Sequence, residues 1–228
     1  MSYLIDTNVT VDQLIARHIE ARGGLERILA IKTLRQRGTV KMPSAEVHIS
    51  GERKRPDLLL IQYTVAGRSG IEGWDGKAAW EFNPFKGMTE PQYVTGAPSE
   101  ALQRGAEFDG PLVSHREKGH TIEYIGIQKV GDRDTYNLKI TRNDGNVIYY
   151  YMDMETMLTV RTKSVRPIHG GDAAETITDF GDYREVGGVL FPFRSHEVAK
   201  DGEHNEVFQW DVIEANIPLS DSLFRIPK

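Results

Sequence analysis

The 228-residue chain contains no cysteine. That excludes disulfide bonds, thiolate nucleophiles and cysteine-ligated metals. It also lacks an excess of one charge: 28 Lys and Arg stand against 33 Asp and Glu, for a net charge of -5. No basic block rises above that balance, so a nucleic-acid partner is not expected. The nearest approach, Arg53-Lys54-Arg55 before Pro56, reads as a solvated turn. No run reaches the roughly 18 apolar residues of a membrane span. The opening Met1-Ser2-Tyr3-Leu4-Ile5-Asp6 has neither the basic start nor the apolar stretch of a signal peptide. Also missing are the His-Glu-x-x-His zinc helix, the Gly-x-Ser-x-Gly elbow, the P-loop and Gly-x-Gly-x-x-Gly.

What is present describes a globular protein. Hydrophobic residues make up 39% and charged residues 27%, and the length suits one domain over residues 1–228. Residues 1–9 read as an extended or disordered tail. Thr10 and Gln13 then form a capping box. Val11, Leu14, Ile15, His18 and Ile19 follow on one helical face. Gly23-Gly24 ends the helix, and a shorter one with Leu25, Ile28 and Leu29 inward comes next. His18 on the apolar stripe reads as a packed histidine.

From Thr33 the period becomes two. Leu34, Gln36, Gly38, Val40 and Met42 alternate with Thr33, Arg35, Arg37, Thr39 and Lys41, and similar runs follow at Val47–Ile49 and Leu59–Val65. Two-residue turns at Gly131-Asp132 and Asp144-Gly145, and a four-residue turn at 153–156, predict a four-strand meander. Ile125 would face Leu138, Ile127 Tyr136, Ile140 Tyr149 and Tyr151 Leu158, all on one face. An Asp201-Gly202 turn pairs Ser195 with Phe208, Phe193 with Trp210 and Phe191 with Val212. In "GWDGKAAWEFNPFKG", a turn at Asp75-Gly76 puts Ile71, Trp80 and Phe82 on the inner face. Trp74 falls on the outer face beside Lys77.

Residues 83–119 interrupt the strands with Pro84, Pro91, Pro98 and Pro111, and read as a lid-like insertion. A short helix is expected from Pro98 to about Glu107, with Ala101 and Leu102 inward. The sum is a mainly β, α+β fold: one strongly curved antiparallel sheet of ten or eleven strands, an unclosed barrel under two or three helices.

Catalytic or metal-binding groupings are weak. His115 and His120, five apart, would point to opposite faces of a strand and read as polar loop residues. His169 with Asp172 reads as turn chemistry, and His48 and His196 alternate outward. Glu197 and Glu206 would be cross-strand neighbours that splay into water. No metal, cofactor or catalytic residue is expected. What stands out is a broad apolar surface: Ile71, Trp80, Phe82, Tyr149, Tyr151, Phe191, Phe193, Phe208 and Trp210. It is either a filled core or a cavity for an apolar ligand.

Three blocks carry a family resemblance: "GWDGKAAWEFNPFKG", "EFDGPLVSHREKGHTIEYIG" and "DYREVGGVLFPFR". The first resembles the DG-x-x-x-W-x-x-NPF-x-G block of the LolA-like outer-membrane lipoprotein-sorting proteins. The opening "ARHIEARGGLERILAIKTLRQRGTV" and the closing "PLSDSLFRIP" match as well, so the likeness runs over about residues 10 to 227. It implies an unclosed barrel with helices over an apolar cavity, in a monomeric, non-enzymatic, exported carrier of the periplasm. Its partners would be lipid or lipoprotein acyl chains and membrane-associated donor and acceptor proteins. The nine apolar residues above would line the cavity, with Leu14, Ile15, His18, Phe85 and Leu102 in the lid. The family's lid-holding arginine could fall on Arg35, Arg37 or Arg53. Each buried CH₂ contributes ~0.8 kcal/mol, so a fully enclosed sixteen-carbon chain would be held by on the order of 12 kcal/mol. A carrier therefore needs a loose lid. Two other readings remain: a hydrolase of lipid-like substrates using His115 or His120, and an interaction module whose interior is filled.

Overall fold

The computed structural model of the protein describes residues 9–167, 173–200 and 204–227. Thirteen strands form one antiparallel sheet. They are β1 (Thr33–Lys41), β2 (Glu46–Lys54), β3 (Leu58–Val65), β4 (Arg68–Trp74), β5 (Ala79–Phe82), β6 (Gln92–Val94), β7 (Thr121–Val130), β8 (Arg133–Thr141), β9 (Val147–Asp153), β10 (Thr159–Pro167), β11 (Ala173–Val186), β12 (Val189–Ala199) and β13 (Asn205–Ala215). Their spatial order is β6-β5-β4-β3-β2-β1-β13-β12-β11-β10-β9-β8-β7. Two meanders meet along β1 and β13, and β6 and β7 remain as free edges. The barrel is therefore unclosed, with thirteen strands rather than ten or eleven.

Three helices accompany the sheet: α1 (Val11–Ala21), α2 (Leu25–Ala30) and α3 (Ala97–Ala106). Among the described residues no helix is long and apolar enough to cross a membrane. The capping box forms as expected: Thr10 Oγ1 accepts from Gln13 N, and Gln13 Oε1 accepts from Thr10 N. Gly23 ends α1 at φ +125°, where a Cβ would sit 2.2 Å from the Gly188 carbonyl oxygen. Only glycine permits that approach, which pins the helix end to the β11–β12 turn. Leu190 N also donates to Arg22 O there.

The helices share one face of the sheet, here the inner face. Leu14 and Ile15 of α1 pack on Tyr136, Leu138, Ile140 and Met152. Ile28 of α2 joins Ile31, Leu34, Val113, Val189, Phe193 and Ile213. Leu102 and Ala106 of α3 cover Leu59, Trp74 and Ala79. Ala106, not Ala101, shares the inward face of α3; Ala101 is exposed. On the outer face the C-terminal segment packs Leu219 and Phe224 over Leu60 and Trp80.

The meander shows why register matters. Gly131-Asp132 is a two-residue turn, and Ile127 faces Tyr136 as expected. A bulge then displaces Ile125, and Tyr124 faces Leu138 instead. Around Asp144-Gly145 the loop spans 142–146, because Asp144 Oδ1 accepts from Asn146 N and Arg142 N bonds to Asn146 O. Ile140 therefore faces Ile148, and Leu138 faces Tyr150. The slip of one residue sends Tyr149 and Tyr151 to the outer face, opposite Lys139 and Asn137. At the next turn Asp153 accepts bonds from Glu155 N and Thr156 N, and the loop extends to Leu158. Tyr151 then pairs with Arg161, not Leu158.

In the terminal hairpin Ser195 faces Phe208 and Glu197 faces Glu206, as expected. Its tip, and the His169–Asp172 pair, lie outside the described residues.

Candidate functional site

Three helices cannot cover thirteen strands, and the uncovered part of the inner face is an apolar groove. It lies over β1 to β4 and β13 and has a volume of about 600 Å³. Its floor is built by cross-strand neighbours: Phe208 beside Val40, Val40 beside Val47, and Ile49 beside Tyr63. Ile61 and Val65 continue it, and Phe85 closes one side. Phe85 is 46% exposed. Its ring stacks on Tyr63 at 6.3 Å, and the Arg68 guanidinium lies 4.9 Å above it. Burial first, then the Glu72 and Glu81 carboxylates, push the Tyr63 phenol up to about 12, which keeps it neutral.

A second cleft of about 410 Å³ continues the groove beneath α3 and shares Ile61, Tyr63 and Glu72 with it. Arg53 lines it, with Nη1 donating to the Gly105 carbonyl of α3 at 2.5 Å. Of the three arginines considered for a latch, Arg53 holds a helix. Arg35 pairs with Glu52 at 3.1 Å, and Arg37 lies 3.9 Å from Glu214.

At its other end the groove reaches Glu197, His204 and Glu206, all buried. The cross-strand carboxylates do not splay into water. His204 sits between them, with Nε2 2.6 Å from Glu197 and Nδ1 3.7 Å from Glu206. Their donor atoms lie within 4.8 Å of one another, close enough for a cation. Each ring nitrogen faces a different carboxylate, however, which is the geometry of an imidazole bridging two acids. The signal for this cluster was the pairing of two glutamates on an inner face, where exposure could not be assumed.

The nine apolar residues expected at the cavity divide. Phe208 lines the groove. Phe193 is buried in the α2 cluster, with Phe191 and Trp210 packed around it. Tyr149 and Tyr151 face outward, as described. Ile71 and Trp80 belong to the outer cluster with Leu60 and Phe224, and Phe82 pairs with Ile71 on that face. Trp74 is the inward tryptophan, beneath α3 rather than beside Lys77. Among the expected lid residues, Leu14 and Ile15 are core, Leu102 packs on Leu59 and Trp74, and Phe85 rims the groove. Val40, Val47, Ile49 and Ile61 carry only the alternation of strand residues, a signal that does not separate a binding surface from core.

His18 faces the sheet from α1 and donates from Nδ1 to Met157 O at 2.7 Å. Burial, despite that bond, lowers its pKa to about 4. An unfolded chain takes up this proton near 6.5, so stability falls as pH drops from about 6.5 towards 4. The loss is on the order of 3 kcal/mol once both values are passed. His18→Gln should flatten the unfolding free energy between pH 7 and 4, measured by urea titration. An unchanged pH profile would contradict the linkage.

A separate polar cleft of about 630 Å³ lies among Arg104, Glu107, Lys118, His120 and Arg142. His120 is a loop residue, as expected, and a buried one: Nδ1 accepts from Asn143 N at 3.2 Å, and Nε2 lies 3.4 Å from Glu107. Burial pushes the Glu107 carboxyl up. The bond and charge of Lys118 at 2.8 Å, with Arg142 and His120, outweigh that and hold it low. The cleft's charged side chains are engaged with one another: Lys118 and Arg142 both reach Glu107, and Arg104 reaches Asp144 at 3.1 Å.

The chain has a LolA-like fold. A LolA superfamily protein from Nitrosomonas europaea matches it with a TM-score of 0.62 at 15% identity, over 95% of this chain and 98% of that one. A DUF1329 family protein from Desulfovibrio piger matches at 0.61 and 10% identity, over 94% and 97%. A domain from Vibrio parahaemolyticus, described as outer-membrane lipoprotein-sorting, matches at 0.58 and 9% identity, over 92% and 94%. No protein-family model matches the sequence, and no curated protein matches it.

Proposed function

We propose that this protein is a non-enzymatic carrier that binds acyl chains, free or on a lipid or lipoprotein, in the groove over β1 to β4 and β13. The observation that carries the reading is the row Val40, Val47, Ile49, Ile61, Val65 and Phe208: apolar, on the inner face, and lining one open groove, with Ile61 at its end packed against the α3 cluster. Ligand sites commonly fall between about 300 and 1,000 Å³ and have mostly apolar walls. The shared fold with a lipoprotein-sorting domain supports the same reading. So does the open side of the groove, because a fully enclosed acyl chain would be held too tightly to hand on. Phe85 and α3, fastened by Arg53, act as a partial lid. The setting is the periplasm, with membrane-associated donors and acceptors and the protein acting as a monomer. The groove continues into the cleft beneath α3, so a chain lying in it would run from the open floor to the edge of that helix.

Ile49→Glu places a charge on the groove floor without opening a core cavity. It should weaken binding of a fluorescent fatty acid at least tenfold, since a carboxylate buried against an acyl chain costs several kcal/mol. Native mass spectrometry after gentle purification should show bound lipid on the wild type and little on the variant. Equal occupancy in both would count against the groove.

A further inference from the structure

Arg22 forms no salt bridge with a carboxylate of the described residues. It caps the C-terminal end of α1 and lines a pocket of about 170 Å³ between α1 and the sheet, with His18, Asp109, Tyr150, Thr162, Phe180 and Tyr183. No side-chain or carbonyl oxygen among the described residues accepts a hydrogen bond from its guanidinium; its contact is the Phe191 ring at 5.9 Å. Asp109, whose charge reaches it, is already held by Arg55 through both oxygens, at 2.5 and 2.6 Å. Burial accordingly lowers the Arg22 pKa. The side chain is half-buried at the negative end of the α1 dipole, with its guanidinium turned to the pocket.

The other polar groups of the pocket supply donors or are spoken for. The Tyr183 hydroxyl donates to Thr159 O at 2.6 Å, and His18 Nδ1 donates to Met157 O. The Tyr150 hydroxyl donates to no oxygen of the described residues. Burial pushes its pKa up to about 12, so its proton is retained. A planar guanidinium fork and a phenol proton thus border one small pocket, the donor set that carboxylates and phosphates require.

We propose that this pocket binds a small oxyanion, a carboxylate or a phosphate, on Arg22 and Tyr150. Two sources share that chemistry: a free anion and the head group of a bound lipid. The second rests on the acyl-carrier reading. It is favoured by position, because Phe180 of the pocket, Ser195 and Phe208 of the groove are successive cross-strand neighbours. At about 4.8 Å per strand, pocket and groove are roughly 10 Å apart.

The test compares wild type, Arg22→Met and Tyr150→Phe, each freed of lipid, with inorganic phosphate, acetate, oleate and methyl oleate. A saturable rise in Tm with phosphate or acetate, lost in Arg22→Met, assigns a free anion. Oleate binding at least tenfold tighter than methyl oleate, with the preference lost in Arg22→Met, assigns the head group. In either case Tyr150→Phe should weaken the effect several-fold, and it stands alone if Arg22→Met fails to fold. No response to free anions together with equal binding of oleate and methyl oleate overturns the inference while leaving the groove intact. A preference that survives both substitutions overturns it too. Failure of both oleate and methyl oleate to bind would instead remove the acyl reading and leave the free-anion arm to decide.

Discussion

Trp80→Ala should cost about 3–5 kcal/mol of folding stability, as large aromatic truncations in packed cores do. Trp80 is fully buried on the outer face and packs with Leu60, Leu219 and Phe224. Its indole Nε1 donates to the Phe224 carbonyl at 2.8 Å, which fastens the C-terminal segment to the sheet. Across the strand pair stands Gly73, where a Cβ would come within 2.8 Å of the indole ring. That glycine leaves the space the tryptophan fills. For a domain of this size the expected fall in Tm is on the order of 10 °C, read by differential scanning calorimetry. Acyl-chain affinity should stay within about twofold, because Trp80 lies on the face away from the groove. Lost affinity with unchanged Tm would place Trp80 in the site instead.

Arg55→Ala should destabilise by about 2–3 kcal/mol, as when charge-assisted hydrogen bonds to half-buried partners are removed. Its guanidinium holds Asp109 by two bonds and donates to the carbonyls of Ile31 at 2.6 Å and Ile28 at 2.9 Å. It also lies 4.6 Å over the Phe108 ring. One side chain therefore ties α2, the chain leading into β1 and the loop after α3 together. The variant leaves the half-buried Asp109 carboxylate without its cation. Asp109→Asn with Arg55→Met, removing both charges, should recover most of the loss. A single variant within 1 kcal/mol of wild type would show that the cluster carries little of the fold's stability.

That arginine also marks a limit of the sequence. Arg53-Lys54-Arg55 read as a solvated turn, yet each one reaches a backbone carbonyl: Gly105, Leu219 and Ile31. Local charge density cannot reveal partners 24 to 165 residues away. The long amphipathic helix, the short one after it and the period-two strands were legible because their signals are local. The face of each hairpin was not. Asp144 and Asp153 bond to their own loop backbones and lengthen turns that composition made look tight, and one added residue exchanges Tyr149 for Tyr150. At "GWDGKAAWEFNPFKG" a four-residue turn, with Asp75 accepting from Lys77 N and Ala78 N, keeps Ile71, Trp80 and Phe82 together. The error there lay in naming the face. The run Leu58-Leu59-Leu60-Ile61 is apolar at every position, the mark of a strand covered on both sides. It could have warned that a second layer, the C-terminal segment, waits outside. The candidate groove was the least legible part. Val40 and Val47 are as buried as core residues, and what sets the row apart is the open volume beside it, a property of the whole fold.

The most direct test of acyl-chain carriage is to photocrosslink a diazirine-bearing fatty acid to the lipid-free protein and map the modified peptides. Crosslinks should concentrate on Val47, Ile49, Ile61 and Phe208. Crosslinks concentrated on Leu219, Phe224 and Trp80, or none above an unfolded control, would contradict it.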